Sequence, residues 1–281
     1  MEVPINRSVD LSSNLRLHQV EKVWGRDVLP APFKAPAGCR IGEIWFEPPA
    51  SLPEILVKYI FTSENLSVQV HPSDAQAAAA RLGRRGKAEC WLIVEAEPGA
   101  VLGIGFKEPI APDAMRQSAL DGTIERLLAW HPVTAGDFFY IPAGTVHAIG
   151  KGISLIEVQQ NSDVTYRLYD YGRPRELHLT EGVAVARGER YDLALRSHVP
   201  QAISMRLVNG PIFRVDQVFG GDLTILATDD EGPLLVIPRD VPALICGHHV
   251  VPGACGLAEK LADVSFASTG TYLVARPPVY S

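Results

Sequence analysis

The sequence predicts a mainly β protein, and three observations carry that reading. Glycine and proline number 24 and 22, about one residue in six of the 281, and they are dispersed between short apolar runs rather than gathered in tracts. Those runs recur from Ile41 to Val279 and have the length of strands rather than helices. Helix signals are confined to three places. Many short strands joined by turns favour an all-β architecture.

Taken in order, residues 1–40 read as an arm rich in Pro, Gly and loop signals, with Trp24-Gly25 its most distinctive pair. Strands are expected at Ile41–Glu47, Ile55–Thr62 and Ser67–His71. Ser73 then offers an N-cap to the alanine-rich run Ala77–Leu82, so a short helix is expected there, ending near Gly83. Ala88–Glu95 and Ala100–Phe106 resume the strand pattern. A small helical insertion near 107–130 follows: Pro112-Asp113 opens one helix, and Asp121 is expected to cap a second carrying Ile124, Leu127 and Leu128. Strands and tight turns return from Pro132 to Leu168. Glu176–Arg187 is expected to be a short helix capped by Thr180, and Ile203–Val279 another series of strands.

Composition excludes several classes. With 47% hydrophobic and 21% charged residues the chain is too apolar to be disordered. A net charge of −6 and a pI near 5.8 lack the basic footprint of a nucleic-acid binder, so no nucleic-acid partner is expected. No apolar run approaches the roughly 18 to 20 residues that cross a bilayer, so no membrane partner is expected either. The start, MEVPINRSVDLSSN, has no apolar secretory core. Cys39, Cys90, Cys246 and Cys255 show no CxxC spacing and read as reduced thiols, which together with the start implies a cytoplasmic protein.

The chemistry concentrates between positions 58 and 173. In Ser67-Val68-Gln69-Val70-His71-Pro72, Gln69 and His71 stand two apart on a strand and share a face. Glu89 opens the apolar run Cys90–Val94, and His147 follows the strand and Pro/Gly turn of 136–146. Two imidazoles, a carboxylate and an amide oxygen could hold one divalent cation, Zn²⁺, Fe²⁺ or Mn²⁺, with positions left open for substrate. The same residues could equally be ordinary strand histidines. Likewise Lys58 and Lys87 could be solvated edge charges. Arg167 and Arg173 could pair with Asp163 or Asp170, and Tyr166, Tyr169 and Tyr171 could form one packed face.

The stretches LVKYIFTSENLSVQVHPSDAQA, GKAECWLIVEAEPGA and AGDFFYIPAGTVHAIGKGISLIEVQQNSDVTYRLYDYGR together resemble the type I mannose-6-phosphate isomerases, in their short bacterial form. Trp24-Gly25 and Gly42-Glu43-x-Trp45 fit that resemblance too. It implies a cupin architecture of two tandem double-stranded β-helix jelly rolls. The arm 1–40 would pack on a metal-binding catalytic domain at 41–176, followed by a connector at 177–200 and a second, metal-free cupin-like domain at 201–281. It also implies zinc held by Gln69, His71, Glu89 and His147, a catalytic Arg167, and active-site positions for Lys58, Lys87 and Glu157.

The reaction so implied interconverts mannose 6-phosphate and fructose 6-phosphate through a cis-enediol. Glu157, Lys87 and a water at the metal are the candidate proton carriers. Arg167, Arg173 and Lys151 are candidates for the phosphate. The alternatives are a non-catalytic sugar-phosphate-binding cupin and an Fe(II) cupin oxygenase. His248-His249 lacks the companions of the first site, and Gly103-Ile104-Gly105 does not lead into a helix, so neither is read as a site.

Overall fold

A computed structural model of the chain describes residues 13–226 and 232–278. The first twelve residues of the arm, and the end of the last strand-rich region at 279–281, lie outside the described residues.

The first departure from the sequence reading is a ten-residue strand, β1 (Leu17–Arg26), inside the expected arm. Its inward positions are His18, Val20, Lys22 and Trp24, while Leu17 and Val23 face solvent. Polar residues on the covered side hide the apolar alternation by which a strand is recognised. His18 is held there by stacking on Trp45, with ring centroids 4.2 Å apart.

β2 (Ile41–Phe46), β3 (Ile55–Phe61) and β4 (Val68–Val70) follow as expected. α1 (Asp74–Ala79) begins at Ser73 with a capping box: Ser73 Oγ accepts from Gln76 N–H, and the Gln76 side chain accepts from Ser73 N–H. It ends earlier than the alanine run suggests. β5 (Glu89–Ala96) and β6 (Val101–Phe106) lead to α2 (Pro112–Asp121) and α3 (Ile124–Leu127). Asp121 is the last residue of α2 and accepts from Thr123 N–H and Oγ1–H at 2.9 and 2.6 Å, so it braces the turn between the helices rather than capping the second. Gly122, at φ 79°, supplies the left-handed residue that ends α2 there.

β7 (Leu128–Pro132), β8 (Asp137–Ile141), β9 (His147–Ile149), β10 (Ile153–Gln160) and β11 (Tyr166–Tyr169) complete this part. The third helix signal yields α4 (Leu179–Val185), which starts after His178 without a side-chain cap, so Thr180 lies inside it. β12 (Arg196–His198) then returns to the first sheet, pairing with β8. The remaining strands are β13 (Met205–Asn209), β14 (Arg214–Phe219), β15 (Leu234–Pro238), β16 (Ala243–Ile245), β17 (His248–Val250), β18 (Gly256–Ala258), β19 (Val264–Ser265) and β20 (Thr271–Arg276).

These strands form four antiparallel sheets. A seven-stranded sheet, β1-β2-β3-β10-β5-β8-β12, faces a five-stranded one, β11-β4-β9-β6-β7, across a core of Trp24, Ile60, Trp91, Leu102, Ile104 and Leu155. Its other face packs on the C-terminal sheet β13-β14-β20-β15-β18 through residues such as Phe46, Tyr59, Val158, Phe213, Ile237 and Leu273. Covered on both sides, β10 buries all eight residues. The helices close the outer face of the five-stranded sheet, and β17-β16-β19 packs on the far side of the C-terminal sheet. The gap between the first two sheets holds Lys58, Lys87, Glu89, Glu157 and Arg167.

Candidate metal centre

Two cross-strand rows face each other across that gap. In the five-stranded sheet, Arg167, Gln69 and His147 lie side by side on β11, β4 and β9. In the seven-stranded sheet, Lys58, Glu157 and Trp91 are in register on β3, β10 and β5, with Glu89 beside Gln159 two positions along. Alternation does the rest: Val68, Val70, Val146 and Ala148 turn outward to the helices, so their neighbours turn inward.

His71, Glu89 and His147 converge, with donor atoms all within 4.8 Å of one another. All three are buried. His71 Nδ1 lies 2.9 Å from Val164 O, and His147 Nδ1 lies 2.9 Å from Thr145 O. A carbonyl oxygen only accepts, so each Nδ1 carries the proton and each Nε2 presents a lone pair. Those lone pairs point at Glu89, with His147 Nε2 3.2 Å from Oε1 and His71 Nε2 3.6 Å from Oε2.

Burial first, and Lys87 among other neighbouring charges, hold His71 well below the usual imidazole range. Burial likewise takes His147 down to about 4. Both rings are therefore neutral near pH 7, the state a metal requires. Neither oxygen of the buried Glu89 has a well-formed hydrogen bond, and its nearest cation is Lys87 Nζ at 3.3 Å from Oε2. A buried carboxylate left in this state is costly. Two neutral imidazoles oriented by backbone carbonyls and one orphaned carboxylate fit a divalent metal in both donor chemistry and support. Gln69 stands beside them, but its Nε2 rather than its oxygen faces His147 Nε2, at 3.2 Å, while Oε1 accepts from Ser67 Oγ.

Above this trio opens a cavity of about 410 Å³ whose walls include Lys22, Lys58, Lys87, Glu157, Arg167 and Arg175. Lys87 Nζ lies 3.2 Å from His71 Nε2. Burial would lower its pKa, yet Glu89 and Glu157 outweigh that and raise it, so the ammonium stays charged. Glu157 Oε2 accepts from Trp91 Nε1 at 2.9 Å, whereas Oε1 has no hydrogen bond and faces Lys58 Nζ at 3.6 Å. Burial, then Glu89, raise the Glu157 carboxyl above the ordinary carboxylate value, and Lys58 and Lys87 restrain that rise. Arg167 donates from Nη1 to Glu176 O at 2.7 Å and keeps a buried Nε without a partner.

Of the residues expected at the site, Arg173 and Lys151 are not brought there. The Arg173 guanidinium pairs with Asp170 at 3.1 Å and Glu64 at 3.0 Å, on a neighbouring surface depression. Arg175, two residues on, lines the cavity instead, clamped by Asp170 at 2.6 Å. Lys151 is exposed and outside the cavity wall. Lys22 and Glu43 line the cavity although sequence reasoning gave neither a role; the only signal was the pairing of Trp24-Gly25 with Gly42-Glu43. A smaller cavity of about 190 Å³ lies on the opposite face of β3 and β10, away from the trio.

Fold and site together define a mainly β protein with a buried His/Glu/His group between two antiparallel sheets, able to hold a divalent metal. No family model matches the chain. Among curated proteins it is 42% identical over 149 residues to the mannose-6-phosphate isomerase of Streptococcus mutans, covering 51% of this chain and 46% of that protein. It is 45% identical over 142 residues to a mannose-6-phosphate isomerase of Bacillus subtilis, covering 47% and 43%. The chain thus spans about half the length of the curated relatives it matches.

By fold it is similar to the crystal structure of the Bacillus subtilis mannose 6-phosphate isomerase, with a TM-score of 0.74 at 23% identity over 94% of this chain and 98% of that one. A putative mannosephosphate isomerase from Archaeoglobus fulgidus gives 0.71 at 17% identity over 95% and 97%. The resemblance to type I mannose-6-phosphate isomerases holds by sequence across half of the chain and by fold across nearly all of it.

Proposed function

We propose that this protein is a metal-dependent aldose–ketose isomerase that interconverts mannose 6-phosphate and fructose 6-phosphate in the cavity between its first two sheets. The observation that carries the reading is the convergence of His71, Glu89 and His147 directly behind Lys87 and Gln69, which line a cavity shared with Lys58, Glu157 and Arg167. The relatives' names supply the sugar phosphate. We read the facing sheets as a cupin jelly roll, followed by a second cupin-like unit without metal.

Zinc is the metal we assign, because the resemblance to the type I isomerases implies it; two imidazoles and a carboxylate are also donors for Fe²⁺ or Mn²⁺, and Gln69 beside His147 would serve as fourth ligand through its oxygen. When bound it supplies Lewis-acid polarisation of the sugar oxygens. The rest of the chemistry falls to the chain itself.

Isomerisation moves a proton between C1 and C2, which one base reaching both carbons can perform. Glu157 suits that task better than Lys87. Burial and Glu89 raise its carboxyl above the ordinary carboxylate value, and Trp91 fixes it on one oxygen, leaving the other without a hydrogen bond to take and return a proton. Lys87, raised above its usual value, remains an ammonium and acts as a donor to developing negative charge. Arg167, always charged and with Nε unpartnered, stabilises an enediolate or phosphate oxygen without exchanging its own proton. Lys58 holds Glu157 in place, and Arg175 replaces Arg173 as the second guanidinium available to substrate.

The test is a coupled assay for fructose 6-phosphate formed from mannose 6-phosphate by the zinc-reconstituted protein. Turnover that disappears with a chelator and returns with zinc is expected. A folded, metal-loaded protein that binds the sugar phosphate without turning it over would overturn the reading.

A further inference from the structure

β1 contributes more than an edge to the seven-stranded sheet. Lys22, on its inward side, lines the cavity and places Nζ 3.0 Å from Glu43 Oε1. The other Glu43 oxygen lies 3.9 Å from Lys58 Nζ, which in turn lies 3.6 Å from Glu157 Oε1. Four charges of alternating sign therefore run across β1, β2, β3 and β10 and end on the one Glu157 oxygen that has no hydrogen bond. The row depends on a glycine. A Cβ at Gly42 would stand 2.6 Å from Lys22 Cβ and Cγ and from the Trp24 ring. With none there, the Lys22 stem and the Trp24 ring lie across β2 and the ammonium reaches Glu43.

The energetics say what such a row does. Lys58 carries its charge on four rotatable bonds, and a single partner at 3.6 Å fixes it poorly. A second carboxylate on its far side narrows that freedom. Two carboxylates around one ammonium leave an excess negative charge, which Lys22 offsets. Burial pushes the Glu43 carboxyl upwards, but Lys58 and Lys22 outweigh it and hold the group below the ordinary range, so Glu43 is a full anion.

We infer that Glu43 and Lys22 are positioning residues: Glu43 fixes the Lys58 ammonium against Glu157, and Lys22 neutralises Glu43 so that Lys58 keeps its charge for Glu157. The inference rests on the isomerase reading for its kinetic consequence but not for its geometry. Both residues act through Lys58.

The experiment pairs steady-state kinetics of the zinc-loaded full chain with spectra of its ¹⁵N-labelled lysine ammonium groups, in which the Lys58 signal is assigned by its loss in K58R. In the wild type the Lys58 ammonium protons are expected to exchange slowly enough to be seen. In E43Q that signal is expected to vanish, and kcat to fall about tenfold or more with KM within about twofold. E43D should restore part of kcat. K22M should show the same pattern more weakly, rescued by K22R.

An unchanged Lys58 signal in E43Q overturns the inference whatever the kinetics. So does a wild-type kcat, or a rise in KM alone, which would make Glu43 a substrate contact. Should E43Q fail to fold, K22M decides on the same criteria, because methionine keeps the stem that lies across Gly42 and removes only the ammonium that meets Glu43. A wild-type protein that shows the Lys58 signal but no turnover defeats the isomerase reading and leaves the positioning role standing on the spectra.

Discussion

Two buried groups of charge in this protein are wired in opposite ways. In the C-terminal sheet, Asp216 on β14 takes Arg206 Nε on one oxygen and Arg276 Nη2 on the other, each at 2.9 Å. The network closes on itself. Between the first two sheets, Glu89 is as deeply buried, yet neither oxygen has a well-formed hydrogen bond, and two imidazoles turn lone pairs towards it. A closed network returns its desolvation cost within the fold. An open one keeps that cost until a ligand arrives. Burial alone therefore does not separate these two kinds of charge. Satisfaction does.

The sharpest test of that contrast is Asp216→Ala, which leaves two guanidinium groups facing each other in the C-terminal sheet. Unfolding free energy is expected to fall by about 3 to 5 kcal/mol in a denaturant titration, the cost of opening a buried ion pair. Metal affinity of the folded fraction should not change, since the two groups share no partner. Glu89→Gln should do the reverse. Metal affinity, read by competition with a chromophoric chelator, is expected to drop at least about 100-fold, beyond the usual loss for a residue that only supports a ligand. The metal-free protein should melt no lower than wild type, because an amide replaces a buried carboxylate that has no well-formed hydrogen bond and a single nearby cation, Lys87 at 3.3 Å. A metal-free protein that melts much lower would place Glu89 in the same class as Asp216.

The third effect is smaller and appears as a slope. In the metal-free protein, His147 is held near 4 by burial while its unfolded value is about 6.5, so between those values the unfolded chain binds the extra proton. Stability should therefore fall as pH drops through that window, by about 1 kcal/mol per unit for this one group. His71, shifted in the same direction, adds to the slope. Glu157, raised, opposes it above its unfolded value. Comparing His147→Gln with wild type by denaturant titration at several pH values isolates the histidine's share. Parallel profiles would mean that the imidazole is not buried neutral.

Much of the fold was legible because it follows from local rules. The capping box at Ser73 and the proline at the start of α2 are short-range features. Two-residue alternation turns Gln69 and His71 inward whatever lies opposite. β1 was illegible because its covered side carries His18 and Lys22, whose reasons for being there, Trp45 and Glu43, sit on the next strand. Sequence reasoning puts Arg173 at the site and gives Arg175 no role, whereas Arg175 lines the cavity. Which of them enters the cavity follows from the turn after β11, where Tyr171 and Gly172 take φ of 55° and 77° and send Arg173 back to Asp170 and Glu64.

By itself the sequence determined the mainly β class and the kinds of donor present, since strand length, turn residues and ligand chemistry are properties of the residues themselves. Only the tertiary structure decided that Glu89 from one sheet meets His71 and His147 from the other, and that a lysine of the arm reaches the site. Those are distances between strands remote in sequence, set by how two sheets pack. No local pattern encodes that.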